Sequence, residues 1–137
     1  MEMMRRHGWW VLIIAVLAIG LLWPRLGSRD QAIAVPCQDI VAGCALSQAG
    51  LHVRFDRQPD ALQRFKVFVA LPDVQEVHAS FNMRGMEMGF NRYRLLPAGA
   101  GRWQAEVMLP ACIQGRKDWL MLLEAGGVHY EVPFTSR

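Results

Sequence analysis

The chain has 137 residues, of which 53% are hydrophobic and 20% are charged, and its net charge is +3. This length predicts a single folded domain, and this composition excludes an intrinsically disordered chain. Residues 35–137 hold eleven basic against ten acidic residues, so they lack the concentrated basic face of a nucleic-acid-binding protein. We therefore expect no nucleic acid among the partners.

A long uncharged segment stands near the N-terminus. No charge falls between Arg6 and Arg25, and the 18 intervening residues have tryptophans near both ends. As a helix, this segment would span about 27 Å, close to the hydrocarbon core thickness of about 30 Å. Residues 1–26 are therefore predicted to form a cytoplasmic tail and one transmembrane helix, with the positively charged N-terminus in the cytoplasm.

Residues 27–35 show no strong periodicity and are predicted to be a linker. A cleaved signal peptide is the alternative to a permanent anchor, but the cleavage-like residues Ala32–Ala34 lie about ten residues beyond the apolar run, farther than is usual. The sequence leaves cleavage open. We expect the protein in the inner membrane, with residues 36–137 in the periplasm.

From residue 36 onward, apolar residues recur in short runs separated by turn-forming residues. The first run alternates Leu51, Val53 and Phe55 with polar residues. Six further runs follow, at 65–71, 77–83, 92–96, 103–109, 119–124 and 128–134. Seven runs with a turn signal about every 8 to 14 residues are typical of a two-sheet sandwich. The sequence predicts an all-β, immunoglobulin-like antiparallel β-sandwich of about seven strands.

The chain carries no recognisable catalytic constellation. Its serines stand outside any nucleophile elbow, and it has neither a His-Glu-x-x-His motif nor a phosphate-cradling glycine loop. We therefore expect that the protein is not an enzyme. The cysteines and the methionines are the remaining residues able to carry chemistry.

Three cysteines, Cys37, Cys44 and Cys112, stand in the domain that we expect in an oxidising compartment. One disulfide and one free thiol are predicted. A bridge from Cys37 to Cys44 would close a small loop, whereas a bridge from either residue to Cys112 would staple this segment to the end of the 103–109 run. The sequence does not choose among the three pairings.

Three methionines, Met83, Met86 and Met88, fall within six residues. Thioethers are soft donors that select Cu(I), and Met86 and Met88, two apart in an extended loop, would point the same way. Met83 or His78 would complete a three-coordinate site. The alternative for Met83 is a core position, because it continues the apolar face of the 77–83 run. The alternative for His78 is an ordinary surface position.

The segment Phe81–Tyr93, FNMRGMEMGFNRY, followed by GRWQAEV at 101–107, resembles the membrane-anchored extracytoplasmic proteins grouped as YtkA-like or FixH-like. Those proteins carry a methionine-containing loop in an immunoglobulin-like sandwich similar to the CopC-type copper carriers. The resemblance implies copper handling or help in building a respiratory oxidase, with Met86 and Met88 in the methionine-containing loop. It also implies a respiratory oxidase or a copper-delivery protein as partner. The chain departs from this pattern in its cysteines and in lacking a histidine within the loop.

Two function classes follow. The first is a periplasmic Cu(I)-binding protein. The second is an immunoglobulin-like interaction or assembly module of the cell envelope that binds no metal, with a contact surface formed by the loop and by Arg84, Arg92, Arg94 and Arg102. The two differ in whether the sulfurs of Met86 and Met88 lie in the open or in a packed core.

Overall fold

The computed structural model describes residues 13–14, 16–17, 31–86 and 91–137. The chain from Ala32 to Arg137 forms a compact unit of its own. Residues 13–14 and 16–17 are helical, and no helix among the described residues has the length and apolarity needed to cross a membrane. Most of the predicted anchor, residues 1–26, lies outside the described residues.

The compact unit is built from β-strands, as predicted. Its described residues form ten strands and one short 3₁₀ helix at Ser47–Ala49. In chain order the strands are β1 (Ile33–Ala34), β2 (Cys44–Leu46), β3 (Leu51–Phe55), β4 (Arg64–Ala70), β5 (Val77–Met83), β6 (Arg92–Arg94), β7 (Leu96–Pro97), β8 (Arg102–Met108), β9 (Asp118–Ala125) and β10 (Val128–Thr135). Six of the seven predicted runs coincide with one strand each, and the run at 92–96 covers β6 and the first residue of β7. The additional strands, β1, β2 and β7, have two or three residues each.

The strands form two five-stranded sheets. Sheet A has the order β1-β10-β9-β5-β6, and sheet B has the order β2-β3-β4-β8-β7. The strand pairs are antiparallel except for β1 with β10, which is parallel. Inward-facing residues of both sheets pack into one hydrophobic core, which confirms the predicted sandwich.

The period-two alternation of the sequence explains which side chains enter this core. In β5 every odd-numbered residue from Val77 to Met83 is buried, and the residues between them are half-buried on the outer face. In β3 the alternation is complete, because His52 and Arg54 are exposed between buried neighbours. Successive side chains of a strand point to opposite faces, so each strand contributes one face to the core.

Aromatic rings fill the centre of the core around Phe81. The ring centroids of Phe65, Tyr93 and Phe134 lie 6.2, 5.9 and 6.1 Å from that of Phe81, all in edge-to-face arrangements. This geometry is favourable for aromatic pairs beyond the apolar area that they bury. Phe65 belongs to sheet B and Phe134 to sheet A, so Phe81 packs against rings from both layers.

The segment predicted as a linker, residues 27–35, contains strand β1. Ile33 and Ala34 pair with Tyr130 and Glu131 of β10. The N–H of Val35 then donates to the Glu131 carbonyl at 2.9 Å, and the Val35 side chain is buried. This part of the segment therefore belongs to the folded unit, because β10 provides its pairing partner.

Candidate functional site

The methionine-containing loop leaves β5 through a tight turn. The N–H of Met86 donates to the carbonyl of Met83 at 3.0 Å, and Gly85 has a φ of +78°. A positive φ at the third residue is the property of a type II turn, for which glycine is the favoured residue. The turn brings Met86 back beside Met83, and the two residues form an isolated antiparallel bridge.

Asn91 fixes the other end of the loop, a role that no sequence motif predicted. Its side-chain amide donates to the Phe81 carbonyl at 3.2 Å, while its own carbonyl accepts the N–H of Phe81 at 3.2 Å. It is the buried polar residue of the described chain, and burial requires such partners. The sequence feature that could have indicated this role is an amide side chain directly before a strand.

The structure places the methionines at different depths. Met83 is 2% exposed and belongs to the core, as the core alternative expects. Met86 is half-buried and packs against the core, while Met88 lies outside the described residues. The turn brings Met83 and Met86 together, yet Met83 faces the packed interior.

His78 is not brought to the methionine loop. It lies on the outer face of β5, opposite to the face that carries Met83, and about 17 Å away along the strand. Its Nε2 is 3.3 Å from Oε1 of Glu76, and Nε of Arg94 is 3.4 Å from the same oxygen. Within the described part of the chain, no group of three His, Cys, Asp or Glu side chains is arranged to hold a metal.

The cysteines pair as Cys37 with Cys44, whose Cα atoms are 5.0 Å apart, and the separation along the chain is seven residues. Asp39 shapes the enclosed segment, since its Oδ1 accepts the N–H groups of Val41 and Ala42 at 2.9 and 3.2 Å. Cys112 is a half-buried free thiol. The prediction of one disulfide and one free thiol is confirmed, and the pairing that the sequence left open is Cys37–Cys44.

The four arginines of the expected contact surface are divided between the two sheets. Arg84, Arg92 and Arg94 lie near sheet A, and each is within 4.0 Å of a glutamate. Their partners are Glu131 at 4.0 Å, Glu124 at 2.7 Å and Glu76 at 3.4 Å. Arg102 begins β8 in sheet B. Exposed ion pairs of this kind contribute less than about 1 kcal/mol each, so they define a charge pattern more than they stabilise the fold.

A hollow of about 310 Å³ lies beside the loop, and its lining includes Cys37, Arg84, Asp118, Leu120 and Pro133. Asp118 accepts a hydrogen bond from Nε of Arg116 at 3.0 Å. This bond lowers the pKa of the Asp118 carboxyl and raises the pKa of Arg116. Asp118 therefore stays ionised across neutral pH, and its charge is paired with that of Arg116.

No known protein family matches the chain, and neither does any curated protein or solved structure. The case for a function therefore rests on the geometry of its own residues.

Proposed function

We propose that this protein is a membrane-anchored, periplasmic immunoglobulin-like module that acts by binding another protein of the cell envelope and not by catalysis. The observation that carries this proposal is the position of Met86, which is half-buried against the core beside the buried Met83. A sulfur engaged in packing is a poor starting point for an open metal site. The same packing, together with the Met86 N–H bond to the Met83 carbonyl, fixes where the loop leaves β5.

The strand order supports the immunoglobulin-like part of the proposal. In sheet B, the order β7-β8-β4-β3 corresponds to strands D, E, B and A of an immunoglobulin domain. In sheet A, the order β6-β5-β9-β10 corresponds to C′, C, F and G. The order of these eight strands along the chain, β3 to β10, is also the order of the letters from A to G. The short β1 adds to the end of sheet A, and β2 adds to the end of sheet B.

The contact surface that we propose is the outer face of sheet A next to the loop, centred on Leu120 and Leu122. These two leucines of β9 are half-buried and lie in register with Asn82 and Ser80 of β5. The ion pairs of Arg84 and the neighbouring arginines surround them. An apolar centre inside a polar rim is the usual anatomy of a protein interface. Because the rim carries both signs of charge, it fits a protein surface of mixed charge.

Site-specific photo-crosslinking in the host cell tests this surface. With a photoreactive residue at Leu122 of the full chain, we expect one discrete adduct, which should disappear when Leu120→Glu is added, because a buried charge without a partner opposes association. Lys66 is the matched position on the outer face of sheet B, and we expect no adduct there. Equal adducts from both positions, or an adduct that survives Leu120→Glu, would contradict the proposed surface.

Cu(I) handling is the second candidate function, and one observation favours it. The turn at Gly85 holds Met83 and Met86 side by side and leads within two residues to Met88. In this function Met86 and Met88 would hold Cu(I), and a respiratory oxidase or a copper-delivery protein would receive it, as the resemblance implies.

Titration of the full chain in detergent with Cu(I), against a competing chelator, separates the two functions. We expect the same weak binding from wild type and from the double variant Met86→Leu with Met88→Leu, since leucine keeps the apolar volume and removes only sulfur. The matched control is Met108→Leu, at an exposed methionine outside the loop. If wild type and Met108→Leu bind one Cu(I) that the double variant loses, copper handling replaces the interaction module. Thioethers release no proton on binding, so such binding would be equally tight at pH 5.5 and 7.5.

A further inference from the structure

A second surface feature lies on the opposite sheet. The sheet B groove has a volume of about 310 Å³, and its lining includes His52, Arg54, Phe68, Ala70, Arg102 and Gln104. In the sheet register, Ala70 of β4 stands between His52 of β3 and Arg102 of β8. Strands β3 and β8, which flank β4, lie two strand spacings apart, about 9.6 Å. The small side chain of Ala70 leaves space between an imidazole and a guanidinium.

Two glycines make room for the side chains that flank Ala70. A Cβ at Gly99, which has a φ of +113°, would lie 2.8 Å from Nη2 of Arg102. A Cβ at Gly43, which has a φ of +109°, would lie 2.8 Å from Cε1 of His52. Both side chains therefore rest against bare backbone. The positive φ at both positions favours glycine, and the missing Cβ leaves room for the ends of the two side chains.

Arg54 adds a second guanidinium to the groove, beside the His52 imidazole and the Arg102 guanidinium. Its guanidinium lies over the ring of Phe68, 4.5 Å from the ring centroid. This distance is within the range of a cation–π interaction. Phe68 is half-buried, so the stacked guanidinium has one face on a fixed apolar surface and its edge available for hydrogen bonds.

The charge balance of the groove differs from that of sheet A. Arg84, Arg92 and Arg94 each have a glutamate within 4.0 Å, and on sheet B Arg64 has Glu106 at 2.8 Å. Arg54 and Arg102, by contrast, form no ion pair with any carboxylate in the described part of the chain. The groove therefore has two guanidinium groups whose charge no carboxylate of the described residues compensates.

We propose that the sheet B groove binds a phosphate group, carried by a lipid headgroup or present as free inorganic phosphate. A guanidinium presents its N–H groups as a planar fork that fits phosphate oxygens, and such charge-assisted bonds are among the stronger hydrogen bonds. Donors on β3 and β8 approach from opposite sides of Ala70. This arrangement suits the tetrahedral oxygens of phosphate better than a carboxylate, whose two oxygens one guanidinium satisfies. The inference does not depend on the proposed contact surface, which lies on the other sheet.

The test follows the Nε–Hε signals of the arginines by NMR in the full chain, held in a non-ionic detergent at about 0.15 M salt to screen diffuse charge attraction. One arm adds inorganic phosphate, a second adds phosphatidylglycerol to the micelles, and a third adds diacylglycerol, which has no phosphate. We expect saturable shifts for Arg54 and Arg102 and none for the ion-paired Arg92. Shifts with inorganic phosphate indicate a free ligand, and shifts with phosphatidylglycerol alone indicate a lipid headgroup.

Variants decide whether the groove itself is the binding site. Arg102→Gln and, independently, Arg54→Gln should each weaken binding at least about tenfold, because each removes charge-assisted bonds. Lys66→Gln removes the same charge from the outer face of sheet B, on β4, but outside the groove. This variant should weaken binding less than about twofold. Saturable shifts in neither phosphate arm would overturn the proposal. So would equal weakening by Lys66→Gln and Arg102→Gln.

Discussion

Phe81→Ala is expected to lower the free energy of unfolding by about 3 to 5 kcal/mol, a large part of the total for a small domain. Phe81 is fully buried, and its ring packs edge-to-face against Phe65 of sheet B and Phe134 of sheet A. Removing the ring leaves a cavity between the layers that rigid strands cannot close. Urea unfolding, followed by tryptophan fluorescence, measures the loss.

The matched control is Phe68→Ala, which removes the same ring from the outer face of β4. Phe68 is half-buried and contacts Arg54 but does not belong to the core. Its removal should cost less than about 1.5 kcal/mol, since it creates no cavity. Equal losses from the two variants would mean that the core is not organised around Phe81.

The longer strands could be predicted because apolar and polar residues alternate in their sequences, and this alternation indicates which side chains are buried. In β3, buried and exposed residues alternate without exception from Leu51 to Phe55, and β4 and β8 show nearly the same rule. Strands β1, β2 and β7 are too short for a period to be visible. β1 is specified by its partner β10, almost the whole domain away along the chain, which a local pattern does not contain.

The candidate site was predicted in part, for equally physical reasons. The spacing of the methionines located the loop, and the turn at Gly85 brings Met86 back beside Met83. The extended arrangement expected for Met86 and Met88 lies outside the described residues. The separation of His78 from Met83 was readable from the sequence, because an even and an odd position of one strand point to opposite faces. The sheet B groove could not be predicted from the sequence. Arg54, Phe68 and Arg102 come together only through the register of three strands.

Replacement of both bridged cysteines, Cys37→Ala with Cys44→Ala, is expected to lower the free energy of unfolding by about 2 to 3 kcal/mol. The bridge joins residues seven apart, and a loop of this size restricts the unfolded chain by about 2.5 kcal/mol in the chain-entropy treatment. Urea unfolding under non-reducing conditions measures the difference. The matched control is Cys112→Ala, at the free thiol, which should change the free energy of unfolding by less than about 1 kcal/mol.

Packing and cross-linking contribute separately to this expected loss, and the wild-type chain in reductant distinguishes them. Cys44 is 3% exposed, so Cys44→Ala also removes a buried sulfur, whereas reduction breaks only the bond between the sulfurs. If the bridge acts by restricting the unfolded chain, reduced wild type should lose most of what the double variant loses. If reduction has no effect while the double variant is destabilised, the two sulfurs stabilise the start of the domain by packing, and the covalent link adds nothing to it.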